Sequence, residues 1–167
     1  MNKFATIAGL AVAATAMAAS ADSLLEVDLS VANQITITAT VGNSAADASG
    51  SSFTGWLLAG FFNDFSFNAD SGGNGIGNLT TWANASSGSP LLFSAWDSFG
   101  LNVFNFSADP SVEVIGGSQA FTGSATWSGL DAGEYAAMLA GNISGDIYFN
   151  ADTDNDIADG AVFIGTW

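Results

Sequence analysis

The sequence predicts an all-β fold: an antiparallel β-sandwich, jelly-roll-like, with at most one short helix. Three observations carry this expectation. Apolar and polar residues alternate with period two in the clearest segments, LLEVDLSV and ITITATV, which is the pattern of a half-buried strand. Clusters of Gly, Ser, Asn and Asp, such as ADSGGNGIGN and NASSGSP, separate short apolar runs, and many short strands with regular turn signals indicate a sandwich or barrel. The chain has no Cys and is 49% hydrophobic, so its stability rests on a core rather than on disulfides.

The elements follow in order. In the first segment Leu25, Val27, Leu29 and Val31 alternate with Glu26, Asp28 and Ser30. In the second, Ile35, Ile37, Ala39 and Val41 alternate with threonines. Ala32-Asn33-Gln34 between them reads as a turn, so the two form a hairpin. Residues 42–52 are small and polar and read as a loop. Further strands are expected at 56–62, 65–69, 79–84, 91–96, 101–107, 112–115, 119–127, 145–150 and 161–167. The helix candidate is DAGEYAAML, 131–139, with Asp131 as its N-cap. A pattern of the form Φ-x-Phe-[Asn/Ser]-Ala-Asp starts at Phe65, Phe104 and Ile147. The units lie about 40 residues apart, but the stretches between them do not match, so the pattern reads as similar turn chemistry at the ends of three core strands rather than as a repeat.

The first residues, MNKFATIAGLAVAATAMAASADS, combine a positive Lys3, an apolar run from Phe4 to Met17 and a small-x-small site at Ala19-Ser20-Ala21. This order is that of a secretory signal peptide. Residues 1–21 are therefore expected to be removed, leaving 22–167 as a single domain, with an alternative cut at Ala16-Met17-Ala18. No later stretch reaches the roughly 18 apolar residues of a membrane-spanning helix. The expected destination is outside the cytoplasm: secreted or cell-surface, with the periplasm as a further compartment.

Charge narrows the chemistry. The chain has 16 acidic residues, one Lys or Arg, and no His. The one base is Lys3, lost with the leader. Charged residues make up 10%, against about 25% in an average protein. Nucleic-acid binding is excluded, because it needs Lys or Arg to displace phosphate counterions. Ser-His-Asp and Cys-His nucleophiles are excluded, and zinc, copper and haem lose their usual ligands. Carboxylate, hydroxyl, amide and aromatic groups remain, and they suit hard cations and carbohydrates.

The candidate metal site is the segment NADTDNDIADG. Ca²⁺ takes oxygen ligands, often from aspartates at alternate positions, and Asp152, Asp154 and Asp156 alternate, with Asp159 close behind. An EF-hand or dockerin loop is excluded: Ile157 stands where the sharp turn calls for Gly, and Phe163 stands at the twelfth position where that loop has Glu. A looser aspartate loop holding Ca²⁺ and a solvated acidic turn both fit the residues. Trp82 in TTWANASSG and Trp96 in SAWDSFG adjoin polar loops and are the candidate sugar-stacking platforms. The one common enzyme class this composition permits is a glycosidase, which needs two carboxylates. Nothing sets Glu113 and Glu134 across a cleft in the sequence, so a non-enzymatic protein is expected.

The stretch AFTGSATWSGLDAGEYAAMLAGNISGDIYFNAD followed by GAVFIGTW, together with VDLSVANQITITATVGNSAADASGSS, resembles small exported bacterial proteins handled by the PEP-CTERM sorting system. The resemblance implies a surface or extracellular-matrix role, with extracellular polysaccharide or surface proteins as partners. The sequence stops at Trp167 without the Pro-Glu-Pro tripeptide, hydrophobic helix and basic tail of that group, which points to free secretion or periplasmic retention. The expectation is thus a secreted, non-enzymatic surface or matrix protein with a Ca²⁺-stabilised loop. The alternatives are a carbohydrate-binding module on the same fold and a small outer-membrane β-barrel.

Overall fold

The computed structural model describes residues 21–50, 55–63, 75–81, 91–95, 99–104, 112–151, 157 and 161–167. The described fold is all-β and antiparallel, sandwich-like, with one short helix. The hairpin leads: β1 (Leu25–Asp28) pairs with β2 (Gln34–Ala39), Leu25 opposite Ala39 and Asp28 opposite Thr36. Asn33, at φ 56°, takes the left-handed turn position that Asn tolerates better than most residues. The first strand is shorter than its alternation predicts. The Asp28 carboxylate accepts the Ser30 amide proton at 2.7 Å, and Gln34 N–H closes the turn onto Val31 O, so 29–31 leave the ladder.

The remaining elements are β3 (Ala48–Gly50), β4 (Gly55–Leu58), β5 (Ile76–Gly77), β6 (Thr80–Thr81), β7 (Leu91–Ala95), β8 (Gly100–Phe104), β9 (Val112–Val114), β10 (Phe121–Thr122), β11 (Ser124–Ser128), α1 (Ala132–Ala140), β12 (Asp146–Ala151) and β13 (Val162–Thr166). A five-stranded sheet runs β13-β12-β4-β8-β7 and a four-stranded sheet runs β1-β2-β11-β5, with the short ladders β10-β6 and β3-β9 beside them. Both larger sheets are open at their margins. The described strands therefore form separate sheets rather than the closed barrel weighed from the sequence. Hairpin neighbours alternate with long crossovers such as β4 to β12 and β2 to β11.

The two larger sheets share one core. Ile35, Ile37, Ala125 and Trp127 come from the four-stranded sheet; Trp56, Leu58, Leu101, Val103, Ile147, Phe149 and Ile164 come from the five-stranded one. Alternation decides which residues enter. On β2 Thr36 and Thr38, which alternate with the isoleucines, face away, and the Thr36 and Thr126 hydroxyls bond across the strands at 2.9 Å. Every residue of β4 is buried, because that strand is covered on both faces: Leu57 points away from the main core, against Ala59, Tyr148 and Ile157.

The expected strand at 119–127 is two strands. Gly123 breaks it, at φ 81°, and a Cβ there would lie 2.4 Å from Asn78 O. Only glycine fits both conditions, and the chain uses the break to pass from the β6 ladder to β2. The expected loop at 42–52 holds β3, which pairs with β9, and β5 at 76–77 pairs with β11. The expected strand at 65–69 lies outside the described residues. Of the three patterned segments, the one at Ile147 is described in full as far as Ala151, and Ile147 and Phe149 fill the core.

The helix begins where its cap predicts. Asp131 accepts the Gly133 amide proton at 2.7 Å, and Glu134 accepts that of Asp131 at 3.1 Å, the reciprocal capping box. Glu134 and Met138, four residues apart, are the buried face. Tyr135 Oη donates to Leu29 O, which holds the helix against the margin of β1. The first described residues are stitched to the last strand: Leu24 N–H donates to Thr166 O at 2.7 Å and Thr166 N–H to Asp22 O at 3.0 Å.

Candidate functional site

The hairpin β12–β13 carries the acidic segment at the margin of the five-stranded sheet. Its register runs from Asp146 opposite Thr166 to Phe149 opposite Val162, with an irregularity after Ile147. Asp152, Asp154, Asp156 and Asp159 lie outside the described residues, as do Trp82 and Trp96. What is described is the support. Ile157, in the middle of the segment, packs against the fully buried Leu57, as Tyr148 does. Tyr148 and Phe163 meet edge-on with centroids 5.9 Å apart. The apolar Ile157 that breaks an EF-hand pattern thus fastens the segment to the sheet.

Carboxylates elsewhere reveal how the fold manages without bases. Asp22 accepts from Asn43 N–H at 2.8 Å and Asp47 from Gly116 N–H at 2.8 Å. With Asp28, Asp131 and Glu134, five acids find backbone amides in place of cations. At Asp28 the bond from the Ser30 side chain, then that from its amide, hold the carboxyl below its ordinary value of 3.8. Among the described residues no three acids gather into a metal-binding group. Asp47 and Glu113 line a shallow groove of about 280 Å³ with Ser49. Glu134 is engaged in the helix cap, so the Glu113 and Glu134 pair weighed from the sequence has one member with a structural duty.

The second face of the five-stranded sheet bears a row of side chains. Phe163, Tyr148, Leu57 and Asn102 stand opposite one another across β13, β12, β4 and β8. Asn102 is wholly buried, and neither its Nδ2 nor its Oδ1 has a hydrogen-bond partner. Trp56 Nε1 and Thr81 Oγ1, both wholly buried, are also unpartnered.

A larger groove of about 580 Å³ opens between β1, the C-terminal end of α1 and Trp167. Leu25, Phe61, Met138 and Trp167 line it and are buried, while Leu139 and Ile143, also in its lining, are 57% and 97% exposed. Glu26 and Asn142 supply polar edges. Phe61 and Trp167 pack with ring centroids 5.0 Å apart, tilted by 38°. Sequence reasoning did not find this groove. Its one linear signal is Ile143, an apolar residue alone in the polar stretch GNISGD. No helix among the described residues is long and apolar enough to cross a membrane.

No family model, curated protein or solved structure matches the chain.

Proposed function

We propose that the chain is a secreted, non-enzymatic β-sandwich of the cell surface or extracellular matrix, of the PEP-CTERM-associated kind, whose segment 152–159 gathers Ca²⁺. One observation carries the reading: after Lys3 the chain has no basic side chain, yet 16 acids. Such a chain repels itself, and ions from outside relieve the repulsion. The described carboxylates that find partners use backbone amides. The alternating aspartates between β12 and β13 concentrate charge where two strands hold the ends of the segment at fixed spacing. Hard-cation binding by oxygen ligands is the chemistry such a segment offers. The leader and the lack of Cys fit an exported protein whose strength is its core.

The test compares melting temperatures at matched high ionic strength with Ca²⁺ or EDTA. Binding only the folded state stabilises it by ~2.7 kcal/mol at 100 times the dissociation constant, a rise on the order of 5–10 °C for a domain of this size. Asp154→Asn with Asp156→Asn abolishes the rise. An equal response of wild type and double variant sinks the Ca²⁺ site. N-terminal sequencing of protein recovered outside the cytoplasm tests export separately: it reads Asp22, or Ala19 for the alternative cut.

A further inference from the structure

We propose that the groove between β1, α1 and Trp167 binds a small amphiphile with an apolar chain and a cationic head group. The inference goes beyond the surface-protein reading and does not depend on it.

Size comes first. A groove of about 580 Å³ falls in the range of roughly 300–1,000 Å³ that small-molecule sites occupy. An added strand is a poor occupant, although β1 is a margin of its sheet. Thr40 N–H donates to Leu24 O, and in an antiparallel pair alternate residues turn their amides and carbonyls toward the partner. That phase leaves Leu25, Val27 and Leu29 facing outward. Leu25 is wholly buried, and Leu29 O already accepts from Tyr135 Oη. Too little outward backbone is left for an incoming strand.

The lining indicates an apolar chain. Leu25, Phe61, Met138 and Trp167 offer a floor with no charged group, and Leu139 and Ile143 flank it with exposed apolar surface. An isoleucine 97% exposed gains by being covered. Each methylene buried against such a surface tightens binding about fourfold.

Charge identifies the head group. Glu26, an exposed acid, is among the residues that line the groove. The last turn of α1, which ends there at Gly141, carries no basic residue; Asn63 Nδ2 donates to Ala140 O, and no cation stands beside the negative end of the helix dipole. No Lys, Arg or His occurs among the described residues. The groove therefore has an acid and a helix C-terminus in its lining and, among the described residues, no cation to pair with them. A cationic head beside Glu26 fits it, and an anionic one is repelled.

Met138 lines the groove and is the only methionine after Met17, so a ¹³C-methyl methionine label gives the folded domain a single resonance at the site. The probe is decyltrimethylammonium below its micelle concentration, at high fixed ionic strength, with decyl maltoside and decanoate as neutral and anionic comparators. A saturable shift of the Met138 methyl is expected, with the cation about three- to fivefold tighter than the neutral probe, the scale of an exposed charge pair, and decanoate weakest. Glu26→Gln lowers the cation to the neutral probe's affinity. Glu113→Gln, at an exposed acid on β9, leaves the preference intact. Leu139→Ser with Ile143→Ser weakens all three probes at least about tenfold. These side chains are exposed, so folding is not at stake. Three results would overturn the proposal: no saturable Met138 shift, decanoate binding as well as the cation, or equal losses from the two glutamine variants, which would mean attraction to the net charge alone.

Discussion

Trp56 and Phe121 hold their rings 4.9 Å apart at 46°, and this contact fastens the five-stranded sheet to the β10-β6 ladder. Trp56 lies on β4, Phe121 on β10, and both are wholly buried. Phe121→Ala is expected to cost about 3–5 kcal/mol, as other large-to-small aromatic changes do. A double-mutant cycle with Trp56→Leu should return a coupling of about 0.5–1.5 kcal/mol, read from urea unfolding. Additive losses would show that the two rings fill the same core without acting on each other.

Asn102 is the least comfortable residue described. Its amide is buried on the second face of the sheet with no partner for either end. Leaving such a group unsatisfied costs about 1–3 kcal/mol. Asn102→Leu, close in volume, should therefore raise the urea midpoint at unchanged slope. A lower midpoint would mean that the amide holds a bound partner in solution.

The cap of α1 is a local device with a local cost. Asp131→Ala removes the acceptor for Gly133 N–H and should destabilise the protein by roughly 0.5–2 kcal/mol. Asp131→Asn keeps an acceptor oxygen and should recover most of the loss. Equal losses from the two would assign the effect to charge rather than to the cap.

At low pH the turn after β1 should weaken. The Asp28 carboxyl titrates below its ordinary 3.8, chiefly through the Ser30 side chain. A depressed folded-state pKa means that its contribution is complete above that ordinary value and is lost as pH falls through the folded one. Carboxyl ¹³C titration should place the Asp28 midpoint below 3.8, and Ser30→Ala should move it upward. A wild-type midpoint at or above 3.8 would remove the turn from the acid response.

Much of this fold was legible because its signals are local. The alternation of Ile35 and Ile37 with threonines set the faces of β2. Asn33 marked the turn, and Asp131 as N-cap marked the helix start. What escaped depends on partners far along the chain. Ala48–Gly50 is a strand only because Val112–Val114 lies beside it. The break at Gly123 answers to Asn78, whose position the apolar pattern of 119–127 cannot register. The aspartates of the proposed Ca²⁺ segment were conspicuous in the sequence, and the structure describes only their anchor at Ile157. The groove was invisible for a different reason. Its walls come from residues 23–29, 61, 138–143 and 167, and no periodicity connects segments so distant.

The stitching of Asp22 and Leu24 to Thr166 has a mechanical consequence. Ser23 and Thr166 form a parallel bridge, so the chain enters and leaves this seam in the same direction. Tension applied before Asp22 and beyond Trp167 pulls the two segments past each other along their length. The bonds from Leu24 to Thr166 and from Thr166 to Asp22 then bear the force together instead of peeling one after the other. Resistance to pulling is governed by the rate of unfolding rather than by equilibrium stability, and a seam sheared lengthwise is the arrangement that keeps that rate low. A domain built this way can serve as a link under strain, its toughness set by Asp22, Ser23 and Leu24 at one end and Thr166 at the other.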